Sequence, residues 1–203
     1  TLAVAGNIFH LYGNVWQSLR YSFFQVASII TTTGYATTDF NMWPTFSKAV
    51  LVLLMFFGAC AGSTGGGIKI SRIIIMCKTA KQDLMRVLHP HAVTTVRFGV
   101  RTYMNLYLII FVLSTMVVAI NQFDLVTTFT AVASCLNNIG PGLELVGPMV
   151  SFADFSPLIK LVLSFDMLVG RLEIFPMLVL FAPSTWLRNK GHLDRRLRAR
   201  NLF

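Results

Sequence analysis

Thr31-Thr32-Thr33-Gly34-Tyr35 is the stretch that decides the fold of this chain. It follows an apolar, aromatic segment that runs from residue 21 to residue 30. Threonine is β-branched and glycine loses backbone entropy, so a helix is expected to end here and pass into extended backbone. Such backbone can turn its carbonyl oxygens towards a common axis, where a ring of carbonyls replaces the water shell of a potassium ion. The stretch therefore predicts one wall of an ion-selective filter.

The same pattern returns 106 residues later without a gap. Five of twelve positions are identical between residues 23–34 and residues 129–140, and the second copy ends in Asn137-Asn138-Ile139-Gly140-Pro141. A further match has an offset of 112 residues: Lys48 corresponds to Lys160, and Gly58 corresponds to Gly170. An internal repeat fixes the architecture before any single element does. We therefore predict two copies of one pore-forming unit.

Composition and charge favour a membrane protein. Hydrophobic residues make up 55% of the chain and charged residues only 12%, whereas soluble domains carry about 25% charged residues. Thirteen of the seventeen lysines and arginines lie in residues 69–101 and 188–200, beside long apolar runs. Because cytoplasmic loops carry the excess of basic residues, both stretches are predicted to face the cytoplasm. The net charge of +9 is thereby explained by membrane orientation rather than by a nucleic-acid partner.

The order of the apolar runs predicts an all-α membrane protein with two pore-forming repeats, and the family resemblance given below implies that each is a membrane-pore-membrane repeat of a potassium-channel-like fold. The first repeat is expected over residues 1–81 with a truncated leading helix, a cytoplasmic linker over 82–102, the second repeat over 103–187, and a basic cytoplasmic tail over 188–203. The predicted helices are residues 2–12, the re-entrant pore helices 15–30 and 125–136, a broken inner helix with halves 45–60 and 68–81, an outer helix 103–120, and a last helix 156–181 interrupted at Gly170.

Five glycines between residues 58 and 67 break the first inner helix. One interpretation is a phosphate-binding loop, but Ile68 separates the glycines from Lys69 and an apolar helix precedes them. A second is a structural break that lets helices pack closely. The third is a gate, because irregular backbone at membrane depth is tolerated only when it is buried in protein or lines a water-filled cavity.

Three charged residues, Asp166, Arg171 and Glu173, lie within the otherwise apolar last helix. Charges inside a membrane are costly and indicate function by default. Arg171 follows Gly170, the match of Gly58, so it is expected below the filter, where its charge would oppose a passing potassium ion. The alternative is a structural ion pair between Arg171 and Glu173, although residues two apart do not face each other on a helix.

These residues together resemble the C-terminal half of a potassium-translocating membrane subunit of the Trk/Ktr/HKT superfamily, Trk type. The segments that carry the resemblance are Thr31 to Tyr35, Gly58 to Gly67, Asn138-Ile139-Gly140-Pro141-Gly142, and Gly170-Arg171-Leu172-Glu173-Ile174-Phe175-Pro176. The resemblance covers nearly the whole chain. The family carries four repeats on one polypeptide, so it implies that this chain is a fragment of a longer protein.

The resemblance implies potassium uptake across the bacterial cytoplasmic membrane by a multi-pass protein with no covalently bound cofactor. Potassium as the substrate is expected at the carbonyls of Thr32, Thr33, Asn138 and Ile139, in a filter that also includes Gly34, Tyr35 and Gly140. The expected gate loop comprises Gly58, Ala59, Gly62, Ser63, Thr64, Gly65, Gly66 and Gly67, and Arg171 is expected to restrict the pore with it. Implied partners are the lipid bilayer, a second copy in a homodimer, and a cytoplasmic nucleotide-binding regulatory subunit, with no nucleic acid.

Two other functions are alternatives to a potassium pore. An alternating-access secondary cation transporter, coupled to sodium or protons, would also use broken helices, but the two repeats run parallel and both filters face one side, which favours a pore. A membrane enzyme is disfavoured because no nucleophile–base pair, metal cluster or Ser/His/Asp arrangement is readable. The three cysteines have no short spacing and indicate neither a disulfide framework nor a zinc site.

Overall fold

The first two helices of the chain form a tight antiparallel pair. The computed structural model describes residues 1–58, 63, 65–88 and 98–172. Helix α1 spans Leu2–Tyr12 and helix α2 spans Val15–Ile30. Gly13 adopts a left-handed conformation with φ of 61°, and the side chain of Asn14 caps α2 by accepting from the N–H of Trp16. A glycine in that conformation followed by a capping asparagine ends one helix and begins the next.

The inner helix that follows is broken, as predicted, but it breaks earlier than the sequence suggested. Helix α3 spans Thr45–Phe56, after a 3₁₀ turn over Phe40–Met42, and so ends four residues before Cys60. The chain then forms strand β1, Phe57–Gly58, which pairs in parallel with strand β2, Ile68–Lys69. This short pairing is the one departure from an all-α chain among the described residues. A Cβ on Gly58 would meet the carbonyl oxygen of Gly66 at 2.5 Å, so the strand pairing needs glycine there.

Two long helices extend into the predicted cytoplasmic linker from both sides. Helix α4 spans Ile70–Leu88 and helix α5 spans Phe98–Ala119. Residues 89–97, between them, lie outside the described part of the chain. Among the described residues, one segment is long and apolar enough to cross a membrane by itself, Val100–Asn121, with a mean hydropathy of 2.1. Such a helix by itself shows only that a membrane span is possible.

The second half of the chain is built around a buried short helix. Helix α6 spans Leu125–Leu136, with Asp124 as its N-cap, and nine of its twelve residues are buried. It is enclosed by α5 and by helix α7, Pro157–Leu172, while 3₁₀ turns over Glu144–Val146 and Phe152–Asp154 form the connecting loop. A helix that is buried on most of its faces must be shielded by neighbours all round.

The predicted interruption at Gly170 is wrong, because α7 remains helical through Gly170 to Leu172. A Cβ at Gly170 would collide with the carbonyl oxygen of Leu136, the last residue of α6. The glycine is therefore explained by the close approach of α7 to the end of α6 and not by a break in α7. Residues 173–203, which include Glu173 and the predicted basic tail, lie outside the described residues.

A buried carboxylate joins α7 to α5. Asp166 is 1% exposed, and one of its oxygens accepts a hydrogen bond of 2.7 Å from the hydroxyl of Ser114. The other oxygen has no hydrogen-bond partner among the described residues. The sequence named no partner for Asp166, because its contact with Ser114, 52 residues away, leaves no local pattern.

Removing the Ser114 hydroxyl should destabilise the packing of α5 on α7. Ser114→Ala leaves the buried Asp166 carboxyl without its partner, which costs about 1–3 kcal/mol. Thermal unfolding of the purified full-length protein in detergent measures the loss. Ser164→Ala is the matched control, because the Ser164 hydroxyl is exposed and donates only to Lys160 within its own helix. Equal melting temperatures for the two variants would contradict the role of Ser114.

Candidate functional site

The two predicted filter segments adopt the same unusual backbone. We call residues 31–35 the first filter segment and residues 137–141 the second. Thr32 and its match Asn138 have φ of 53° and 54°, and Gly34 and its match Gly140 have φ of 77° and 113°. Positive φ is rare for residues other than glycine. Its recurrence at both matched positions shows that the two segments share one conformation.

The same hydrogen bonds turn both segments back onto the helices that precede them. The N–H of Thr33 donates to the carbonyl of Ser28 at 2.9 Å, and the N–H of Ile139 donates to the carbonyl of Ser134 at 2.9 Å. The N–H groups of the two preceding residues in each segment likewise donate to carbonyls of α2 or α6. The N–H groups of both segments next to the helices are therefore bonded to the ends of α2 and α6.

Three carbonyl oxygens in each segment have no hydrogen-bond donor among the residues that the structure describes. Within the residues that the structure describes, no hydrogen bond reaches the carbonyls of Thr32, Thr33 and Gly34, or those of Asn138, Ile139 and Gly140. Of these six residues, only Ile139 is buried, while Thr33 is exposed and the other four are half-buried, so their carbonyls can face water or a bound ion. A row of unpaired carbonyls next to paired N–H groups is an arrangement that can bind a cation.

The two segments lie side by side. A Cβ on Gly34 would collide with the carbonyl oxygen of Ile139 and would come within 3.3 Å of Pro141. Gly34 therefore brings the predicted coordinating carbonyls of the two copies next to each other. By contrast, a Cβ on Gly140 would meet nothing within 4 Å.

Each segment is fixed by different side chains. In the first, the hydroxyl of Thr31 donates to Ala27 at 2.7 Å and lies 2.7 Å from the hydroxyl of Thr33, and Ser28 donates to the carbonyl of Tyr35 at 2.6 Å. The side chain of Tyr35 itself is 73% exposed. All of these contacts are local, so α2 and its segment form one unit.

The second segment is held by neighbouring helices. The hydroxyl of Tyr107 donates to the side-chain oxygen of Asn137 at 2.9 Å, and the side-chain amide of Asn138 donates to the carbonyl of Met167 at 2.9 Å. One contact reaches α5 and the other reaches α7. Sequence reasoning missed both, because partners 30 and 29 residues away leave no local pattern.

We call residues 58–67 the glycine-rich segment. Its C-terminal end lies against Asn137, the first residue of the second filter segment. A Cβ on Gly66 would collide with the carbonyl oxygen of Asn137, and one on Gly67 would come within 3.2 Å of the Asn137 side chain. Ser63 accepts a hydrogen bond from the N–H of Gly65 at 3.1 Å. The predicted gate residues Ala59, Gly62 and Thr64 lie outside the described residues. The part of the segment that is described thus packs directly beneath a predicted filter wall.

Arg171 is exposed at the last described turn of α7. No hydrogen bond or ion pair joins it to the residues that the structure describes. The residue before it, Gly170, would place a Cβ 2.9 Å from the side-chain nitrogen of Asn138. Gly66 and Gly170 therefore approach the same end of α6, next to the filter.

The outer loops of the two copies are joined by what we call the outer clasp, formed by Asn41, Lys48, Glu144 and Gly147. The side chain of Asn41 accepts from the N–H of Glu144 at 2.9 Å and donates to its carbonyl at 3.1 Å. Glu144 has a positive φ of 53°, and its carboxylate lies 3.4 Å from the Lys48 amine. Sequence reasoning missed Asn41 as the partner of Glu144, because the two residues lie 103 positions apart.

Comparison with known proteins gives a consistent result. Residues 12–189 match the model of the family TrkH, described as a cation transport protein. The Trk system potassium uptake protein TrkH of Salmonella typhimurium is 37% identical over 190 residues, which cover 88% of this chain and 39% of that protein. The Trk system potassium uptake protein TrkG of Escherichia coli K12 is 35% identical over 180 residues, 83% of this chain and 37% of that protein.

A solved structure agrees with these sequence matches. The crystal structure of the potassium transporter TrkH from Vibrio parahaemolyticus superposes with a TM-score of 0.78 at 36% identity. The superposition covers 91% of this chain and 42% of that one. The chain thus spans about two fifths of the length of the relatives that it matches.

Proposed function

Because this chain belongs to the TrkH family of cation transport proteins, we propose that it contributes two filter walls to a potassium uptake pathway in the bacterial cytoplasmic membrane. The family consists of transport proteins and not of enzymes, as the sequence predicted. Potassium is then the substrate, and no bound cofactor is required. The single observation that carries the proposal concerns six backbone carbonyls in two matched, adjacent segments, which have no donor in the part of the chain that the structure describes.

Potassium would be coordinated by the carbonyls of Thr32, Thr33, Asn138 and Ile139, with those of Gly34 and Gly140 next to them. The backbone at these positions is fixed before an ion arrives, because every segment N–H near the helix end is already bonded to α2 or α6. Prearranged carbonyl dipoles replace the hydration shell of the ion at little cost in reorganisation. Asn138 and Ile139 can serve as well as the threonines, since coordination uses the backbone and not the side chain.

Two matched surfaces support the proposal that further repeats complete the pore. Phe129 packs against Phe56 and Phe111, with ring centroids 6.0 Å and 5.1 Å away, whereas its match Phe23 is 68% exposed. Gly34 faces the neighbouring segment, but its match Gly140 faces open space. In a four-repeat protein both uncovered positions would contact the other repeats.

The glycine-rich segment and Arg171 are proposed to control passage below the filter. The support is their shared position, because Gly66 and Gly170 both contact the end of α6 at the base of the second filter segment. Glycine at these contacts leaves no side chain between the segment and the filter. Of the other two interpretations of the glycines, the phosphate-binding loop is disfavoured because Ile68 separates the glycines from Lys69. A structural break for close helix packing is compatible with the same contacts.

The proposed domains and partners follow the family resemblance. We propose two pore repeats over 1–81 and 103–187, joined by residues 82–102 on the cytoplasmic side, with assembly as a homodimer in the lipid bilayer. The basic stretches at residues 69–101 and 188–200 would face a cytoplasmic nucleotide-binding regulatory subunit. Copurification of the full-length protein with its cytoplasmic partner tests this assignment.

Replacing Gly34 by serine should impair the preference for potassium over sodium. The new Cβ would both disfavour φ of 77° and collide with the Ile139 carbonyl. The measurement is the ratio of potassium to sodium uptake in cells that depend on the full-length protein for potassium. Gly13→Ser is the matched control, since Gly13 also has positive φ but has no atom within 4 Å of its Cβ position. An unchanged ratio in correctly inserted Gly34→Ser would count against the filter.

Replacing Arg171 by alanine should speed potassium uptake. A positive charge about 6 Å from the ion, at an effective dielectric constant of about 20, opposes it by roughly 3 kcal/mol. If half of that repulsion survives screening, uptake rises about tenfold. Arg171→Lys keeps the charge and should keep the slow rate. Slower or unchanged uptake together with a lower melting temperature would show that Arg171 is instead a structural partner.

Locking the outer clasp distinguishes a pore from alternating access. The Cγ atom of Asn41 lies 2.9 Å from the Cβ position of Gly147. The Cβ atoms of cysteines at both sites would therefore lie within about 4.5 Å of each other, which a disulfide can span. The double variant Asn41→Cys/Gly147→Cys, without Cys60, Cys77 and Cys135, is assayed before and after reduction. A pore with a fixed outer mouth should transport potassium equally in both states. Uptake that is blocked by the cross-link and restored by reduction would favour a transporter that rocks between states.

A further inference from the structure

Tyr107 lies on α5 and contacts the start of the second filter segment. Its side chain is 6% exposed, and its hydroxyl donates to the side-chain oxygen of Asn137 at 2.9 Å. Asn137 is fully buried, and its side-chain nitrogen donates to the carbonyl of Ala133 at 2.7 Å. Both ends of the Asn137 amide are therefore fixed. Asn137 directly precedes Asn138, which is proposed to provide the first coordinating carbonyl of this segment.

The first filter segment has no such contact with a neighbouring helix. Thr31 occupies the position that matches Asn137, and its hydroxyl bonds to Ala27, to Ser28 and to Thr33. Threonine at this position thus closes its hydrogen bonds within α2 and its own segment. Asparagine needs an additional donor from outside, and in this structure Tyr107 is that donor.

Tyr107 is itself held in place by an aromatic column. It stacks on Tyr103, with ring centroids 6.4 Å apart and an angle of 26° between the rings. The guanidinium carbon of Arg72 lies 3.8 Å from the centre of the Tyr103 ring, at the distance of a cation–π contact. Arg72 belongs to α4, the helix that follows the glycine-rich segment. The column thereby joins α4 to the second filter segment.

From these contacts we infer that Tyr107 is a positioning residue whose hydroxyl keeps the second filter segment at the spacing that favours potassium over sodium. The inference rests on the proposed function. Without the hydroxyl, the side-chain oxygen of Asn137 is buried and unpaired, which is costly. The amide can regain a donor only by turning, and it then shifts the backbone that precedes the Asn138 carbonyl. Selectivity depends on the placement of these carbonyls, so it should change more than the uptake rate.

The test compares the full-length wild-type protein with Tyr107→Phe, using potassium and sodium uptake in the same cells. We expect the ratio of potassium to sodium uptake to fall on the order of tenfold, while the maximal potassium uptake rate changes less. The matched control is Tyr12→Phe, because the Tyr12 hydroxyl also bonds to side chains, those of Thr38 and Trp43, but lies at the α1–α2 end away from Asn137. Tyr12→Phe should keep the wild-type ratio.

A second variant separates a role in positioning from a general loss of packing. In Tyr107→Phe/Asn137→Thr the second segment receives the residue that the first segment has at this position. A threonine hydroxyl can donate to the carbonyl of Ala133 as Thr31 donates to Ala27, so the double variant should regain selectivity. If Tyr107→Phe fails to insert in the membrane, the double variant alone carries the test, and a selective double variant supports the inference.

Each outcome has one consequence. A wild-type ratio in well-inserted Tyr107→Phe overturns the inference and leaves the filter itself intact. A similar fall in Tyr12→Phe overturns it as well, since the effect would then be a general one. A double variant that stays unselective contradicts the role given to Asn137. A wild-type protein without preference for potassium overturns the proposed function, and that result is recognisable because it needs no variant.

Discussion

The hydrogen bond from each proposed filter segment back to the helix that precedes it is the constraint on which the rest of this structure depends. At Thr33 and again at Ile139, the N–H returns to the carbonyl of a serine five residues earlier. This bond requires positive φ at Thr32 and at Asn138. The N–H groups of the neighbouring residues bond to the same helix end, while three carbonyls of each segment receive no donor from the described residues. A backbone with its donors used and its acceptors free attracts cations whatever its side chains are, which is why two dissimilar sequences can build the same kind of wall.

The two copies share this backbone but differ in what supports it. Thr31 and Thr33 stabilise the first segment by local hydroxyl contacts, whereas the second depends on α5 and α7 through the side chains of Asn137 and Asn138. A locally closed segment tolerates changes in its neighbours. A segment that is tied to two helices instead reports their positions. A shift of α5 or α7 can therefore move the second filter segment more directly than the first.

The sequence predicted the elements whose signals are local and missed those that depend on distant contacts. The bounds of α1, α2 and α6 follow from apolar runs that end at Gly13, at threonines and at asparagines, and all three were predicted correctly. The end of α3 was placed four residues too late, because its apolar run continues while the parallel strand pairing ends the helix. The break expected at Gly170 is absent from α7, since glycine there serves a close approach to α6, a contact that composition does not show. Asn41 and Tyr107 were missed for the same reason: their partners lie 103 and 30 residues away.

The short parallel pairing of β1 with β2 has a consequence for how the inner helix can change. Phe57 pairs with Ile68 and Gly58 with Lys69, so residues ten or more apart in sequence meet at a single narrow neck. The chain between them starts and returns at one point, and the entropy of closing a loop grows only slowly with its length. The length of the chain between the strands can therefore vary while the axes of α3 and α4 stay where they are, provided that Gly66 and Gly67 keep their contacts with Asn137. The strand pairing thus separates the segment between β1 and β2 from the helices on either side, so residues can be inserted into or removed from that segment without a change in α3 or α4.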